Sequence, residues 1–190
     1  MSLTLKLTII TSFWLSLAAS ATAQILVLGS GPAEQCYKSA KLGDKGSQSA
    51  IRTCEEALAK HDISLKDTAA THVNVGVLYM RRKDNKNAQY HFEKALKIRP
   101  AMAEIYINYG ASLIQVGNFD EALTALNKSI ELETTKLPEA LYNRSIVYNR
   151  LGKFKEAYKD LKQALAVRPD WPIAITALEN YVVTTAPKSN

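Results

Sequence analysis

Three stretches of this chain repeat one another at a nearly constant offset, and that periodicity limits the fold more tightly than composition does. Gly76-x-x-Tyr79, Ala88-x-x-x-Phe92-x-x-Ala95 and Pro100 recur 34 residues later as Gly110-x-x-Leu113, Ala122-x-x-x-Leu126-x-x-Ser129 and Thr134. A third copy follows after 35 residues: Ser145-x-x-Tyr148, Ala157-x-x-x-Leu161-x-x-Ala164 and Pro169, with the extra residue falling in the turn at 134–138. Apolar positions three and four apart mark one face of an α-helix, and Gly117-Asn118 and Gly152-Lys153 supply turns between paired helices. A two-helix unit cannot bury its apolar face alone, so the copies must stack. Gly76 and Gly110 are expected to face Ala88 and Ala122 so that two backbones approach closely, while Tyr79, Phe92, Tyr148 and Leu161 fill the space between hairpins. Pro100 and Pro169 end the second helices, because proline lacks a donor N–H.

These residues resemble the tetratricopeptide-repeat family, with repeats at 69–102, 103–137 and 138–171. The resemblance implies an all-α, right-handed superhelical array of antiparallel helix hairpins. His72 stands where the family prefers Trp, Ser145 replaces a glycine and Thr134 a proline. A degenerate hairpin precedes the repeats, with Ala33–Lys41 as its first helix and Ala50-x-x-x-Cys54-x-x-Ala57 on its second. Residues 171–183 read as a capping helix, with Ala174, Leu178 and Tyr181 on one face. The repeat domain thus spans 33–183, and 184–190 is expected to be a disordered tail.

The start of the chain carries a different signal. Lys6 precedes the apolar run Leu7 to Ala19, and Ala21-Thr22-Ala23 offers a small-x-small cleavage site, so 1–23 reads as a secretory leader cut after Ala23, with 24–32 as a linker. The expected location is periplasmic or secreted. Membrane association follows only if the leader is kept, since Ile25 to Leu28 would lengthen its apolar stretch towards a span. Export also places Cys36 and Cys54, the two cysteines of the chain, where disulfides persist, and a bridge between them is expected. In the repeat frame it joins the two helices of the terminal hairpin.

Charge is unevenly distributed. The mature chain would carry 23 basic against 18 acidic residues, but the first and third repeats are basic (net +5 and +3) and the second is acidic (net −3). An exported chain with no clustered basic-aromatic motif gives no reason to expect nucleic acid as a partner. Catalytic patterns fail in turn. Ile25 to Ala33 imitates a dinucleotide-binding turn, but Glu34 occupies the third glycine position and no strand pattern surrounds it. His61, His72 and His91 show no spacing that pairs them with a nucleophile or a metal ligand; His72 reads as a packing residue and His91 as an exposed one. No catalytic residue, metal site or cofactor is expected, and the chain reads as a non-enzyme.

What remains is recognition. The family resemblance implies that first helices line a concave groove. Read at the corresponding positions, the groove would present an asparagine row (Asn74, Asn108, Asn143), an apolar row (Val73, Val77, Ile107, Ala111, Tyr142, Ile146) and flanking polar ends (Arg81, Gln115, Arg150). An amide both donates and accepts, so one asparagine per repeat suits the backbone of an extended peptide. Glu104 and Glu139 occupy positions where carboxylate-binding members of the family carry bases, so acidic C-termini are not the expected ligand. The expectation is a protein-binding scaffold or adaptor holding a partner peptide. Self-assembly through an apolar end around Trp171, Ile173, Ile175 and Tyr181 is the alternative and would make a homo-oligomer.

Overall fold

A computed structural model describes residues 5–9, 31–60 and 63–185. Most of the leader, the linker up to Ser30, His61 and the last five residues lie outside that set. Among the described residues the chain forms helices α1 (Pro32–Lys41), α2 (Gln48–Leu58), α3 (Leu65–Arg81), α4 (Asn85–Ile98), α5 (Ala103–Gln115), α6 (Phe119–Glu131), α7 (Leu137–Arg150), α8 (Phe154–Val167) and α9 (Pro172–Glu179). They pair as hairpins α1/α2, α3/α4, α5/α6 and α7/α8. Each hairpin packs on the next through its second helix, and α9 closes the array against α8. This is the superhelical array of helix pairs that the repeat implied, with the weak first hairpin present in full.

Helix ends follow from local chemistry. The turns inside all three repeats are the same: Lys83, Gly117 and Gly152 take positive φ values of 65°, 79° and 71°. In each, two successive N–H groups return to the last helical carbonyls, as in Asn118 N–H to Leu113 O at 2.9 Å and Lys153 N–H to Tyr148 O at 2.8 Å. Arg99 and Arg168, each next to a proline region, leave the helix with extended φ near −135° and −132°. The second repeat lacks that proline, and α6 instead ends with Glu133 at φ 54° and Thr134 N–H bonded to Ser129 O. The 35-residue spacing therefore coincides with a different way of stopping the helix.

Two expectations about packing need correction. A Cβ built on Gly76 would lie 2.6 Å from Phe92 Cε1, and one on Gly110 would lie 2.8 Å from Leu126 Cγ, against 3.5 Å to the Ala122 carbonyl. The glycines thus make room chiefly for the large side chain in the middle of the partner helix rather than for the alanine one turn earlier. At the other end, α9 stops at Glu179 rather than Val183, and Tyr181–Thr185 forms a strand, β2, antiparallel to β1 (Leu5–Ile9) with Ile9 opposite Tyr181. The run Val182-Val183-Thr184-Thr185 is β-branched throughout, and such side chains favour strand over helix. Thr184 and Thr185, expected in the tail, belong to this ribbon.

Cys36 and Cys54 are bridged, with a Cα–Cα distance of 4.8 Å, and both are fully buried with Ile51, Val75 and Leu78. The bridge ties α1 to α2 in the first hairpin among the described residues. Arg81 fastens the same hairpin to α3 by donating to the Ala40 and Asp44 carbonyls at 2.6 and 3.2 Å. At the other end of the array, Arg144 of α7 grips Asp160 of α8 with two bonds of 2.7 and 2.8 Å.

Candidate functional site

The twelve residues expected to line a concave groove all lie on the first helices α3, α5 and α7, but most of them do not form an open surface in the 190-residue chain. Val73, Asn74, Val77, Ile107, Asn108, Ala111 and Asn143 have no exposed area, and Tyr142 and Ile146 have 3% and 9%. Several of their neighbours among the described residues contribute to this burial. Val73 and Val77 share an apolar cluster with Ala33 of α1 and with Ile105 and Ala111 of α5. Tyr142 and Ile146 pack with Trp171 and Ala174 at the α9 end of the array. Ile107 packs against Ala140 and Ile130.

The polar members are equally engaged. Asn108 donates from Nδ2 to the Glu104 carbonyl one turn back at 3.2 Å. Arg81 is spent on the carbonyls at the end of α1 and is not a free flank, which leaves Gln115 and Arg150 as the exposed residues of the set. Asn74 differs: neither its Nδ2 nor its Oδ1 has a hydrogen-bond partner, and the nearby Thr71 Oγ1 also has none. A buried unpaired polar group costs about 1–3 kcal/mol.

An open concavity lies elsewhere. Tyr106 and Tyr109 of α5 and Glu121, Thr124, Ala125, Asn127, Lys128 and Glu131 of α6 line a groove of about 640 Å³. Its floor is aromatic and apolar. Tyr106 is held by its hydroxyl, which donates to the Pro100 carbonyl at 3.0 Å, and Tyr109 bridges the clusters of the first and second repeats. The rim is acidic. Lys128 is paired with Glu131 at 2.8 Å, whereas Glu93 and Glu121, after burial, push the Tyr109 hydroxyl above its ordinary value. Sequence reading missed this groove because it is built from positions 4 and 7 of one helix and the outer face of the next, outside the rows the family resemblance singles out. The net negative charge of the second repeat was the available signal.

The structure also joins two histidines that sequence spacing left apart. His72 Nδ1 and His91 Nδ1 are 3.0 Å from each other across α3 and α4. His91, expected on the surface, is half-buried, stacked on Tyr79 and edge-on to Tyr90. Burial, then the neighbouring His72, then Lys94 pull the His91 pKa down to about 4. Burial and Lys94 lower that of His72. Both rings are therefore neutral near pH 7, with one Nδ1 able to donate to the other. Among the described residues no group of three or more His, Cys, Asp or Glu side chains gathers to hold a metal ion, and no helix is long and apolar enough to cross a membrane.

Comparison with known proteins agrees with this architecture. Tetratricopeptide-repeat profiles match residues 79–142 and 138–171. Among solved structures, a crystal structure of MamA superposes with a TM-score of 0.62 at 20% identity, over 80% of this chain and 82% of that one. The crystal structure of PilW, a widely conserved type IV pilus biogenesis factor, gives 0.69 at 26% identity, over 77% of this chain and 65% of that one. The TPR domain of Arabidopsis OM64 gives 0.57 at 22% identity, over 61% and 95%. With the repeat spacing, the stacked hairpins and the close contacts of Gly76 with Phe92 and of Gly110 with Leu126 already in place, these matches make the chain a member of the tetratricopeptide-repeat family.

Proposed function

We propose that this chain is an exported scaffold that binds a partner protein through the groove between α5 and α6. The family membership supports protein binding in general. The observation that carries the finer reading is the groove itself: an aromatic floor with an acidic rim, open while the first-helix row is buried in the 190-residue chain. Its volume falls within the range of specific binding clefts. The acidic middle repeat lies between two basic ones, so the complementary partner segment carries an apolar or aromatic side chain next to Lys or Arg, which the exposed Glu121 would attract. The leader supports an extracytoplasmic site of action. The likeness to PilW, described as a type IV pilus biogenesis factor, favours a scaffold that holds a component during assembly.

A second reading keeps the first-helix row as the binding surface, and Asn74 favours it. Its amide is buried with both polar atoms unpaired, a cost that a peptide backbone reaching the row would remove. Site-specific photo-crosslinking in the native cell separates the two. A benzophenone side chain at Tyr106 or Thr124 is expected to trap one partner, and Glu121→Lys to reduce that yield by about ten-fold, the scale of one rim charge reversed. Trapping at Asn74 or Asn108, with none at Tyr106, would move the partner to the concave row. No protein trapped at any of these positions would leave the scaffold reading without a surface.

A further inference from the structure

We propose that His72 and His91 together chelate one divalent transition-metal ion of square-planar or tetragonal preference, Cu(II) foremost, between α3 and α4. Two imidazole nitrogens converging at 3.0 Å can share a proton or hold a cation between them. Metal–imidazole bonds of about 2.0–2.1 Å combined with that separation give an N–metal–N angle of about 94°. That is the cis angle of a tetragonal ion; a tetrahedral zinc site would need the nitrogens about 3.3 Å apart. Cu(II) also leads the divalent series for nitrogen donors, with Ni(II) and then Zn(II) behind it for this geometry.

The hairpin holds the two rings ready. His72 stands one turn before Gly76 and His91 directly before Phe92, the pair whose close contact sets the distance between α3 and α4. Tyr79 stacked on His91 and Tyr90 at its edge limit rotation of that ring. Binding needs both rings as Nε2–H tautomers, so the proton shared between the Nδ1 atoms moves to an Nε2 through solvent and none is released near neutral pH. Both rings are half-buried, and water completes the coordination. Lys94, above the Tyr90 ring at 5.2 Å, opposes a cation. Glu55 of α2 accepts from the Tyr79 hydroxyl at 3.2 Å. Affinity in the micromolar rather than the nanomolar range follows.

The test is titration of the purified chain with CuCl2 near neutral pH, read by calorimetry, electron paramagnetic resonance and proton NMR. One equivalent should bind, with a tetragonal spectrum coupled to two nitrogens and with paramagnetic broadening centred on the His72 and His91 ring protons. His72→Phe and His91→Phe, each checked for retained helical circular dichroism, should weaken binding by at least about ten-fold; His61→Gln should leave it unchanged, and ZnCl2 should bind more weakly than CuCl2. Should either variant fail to fold, the location of broadening in the unaltered chain decides. Broadening elsewhere, affinity unchanged in the folded variants, or no stoichiometric binding overturns the site.

Discussion

Gly76 and Phe92 set the distance between α3 and α4, and the cost of disturbing them can be stated. Gly76→Ala gains helix propensity of about 1 kcal/mol but drives a methyl group into a fully buried ring with 0% exposure. Overpacking of that kind costs about 1–3 kcal/mol. Net destabilisation by urea unfolding is expected, with Phe92→Leu partly restoring stability in the double variant. Lys83 offers the opposite case. It holds the left-handed conformation that Gly117 and Gly152 hold in the later repeats, so Lys83→Gly should stabilise the chain by about 1 kcal/mol. A lower midpoint in the denaturation curve would refute it. The repeat frame alone pointed to this position; the strain at it required the structure. His91 adds a pH dependence. Its folded pKa of about 4 lies below the ordinary 6.5, so the neutral ring stabilises the fold above 6.5 and that contribution is lost as pH falls from 6.5 towards 4. Denaturation midpoints should decline across that window and decline less in His91→Gln. Asp44 and Asp84, held below 3.8 chiefly by bonds from Ser47 and Asn87, act only at lower pH.

At the scale of elements, the helices were legible in the sequence because the signals were redundant. Apolar spacing marked α3 to α8, with turn glycines after α5 and α7 and prolines after α4 and α8, and even the poorly matched α1 began within a residue of its expected start, at a proline suited to the first helical position. The end of α9 was not legible from its amphipathic spacing, since the β-branched run beyond Glu179 competes with the same apolar pattern. The terminal hairpin depends on its bridge. Reducing Cys36–Cys54, whose partners are 18 residues apart, should cost about 3 kcal/mol. Hydrogen exchange should accelerate in α1 and α2 while α7 and α8, joined by Arg144 and Asp160, keep their protection. Equal acceleration throughout would mean that the array unfolds as one unit.

For the whole molecule, stacking order and overall architecture followed from one spacing, whereas the state of the candidate groove did not. The sequence puts one asparagine on each first helix, Asn74, Asn108 and Asn143, and all three are buried, but whether such positions face open space depends on what packs over them, and repeat spacing carries no such information. If the leader is removed after Ala23, β1 leaves with it and β2 loses its partner. Residues 24–190 are expected to begin at Gln24 by mass spectrometry of the exported form and to keep the helical signal of the full chain, because the four hairpins pack without the ribbon. Loss of that signal would show that the ribbon supports the array.

The covalent tie between α1 and α2 also has a mechanical meaning. Pulled from its ends, an array of hairpins should peel open pair by pair, each step lengthening the chain by the residues it releases. The tied segment of 18 residues cannot lengthen, so total extension falls short by about 60 Å at roughly 3.4 Å per residue. A thiol reductant should return that length, marking the amino-terminal hairpin in a force trace.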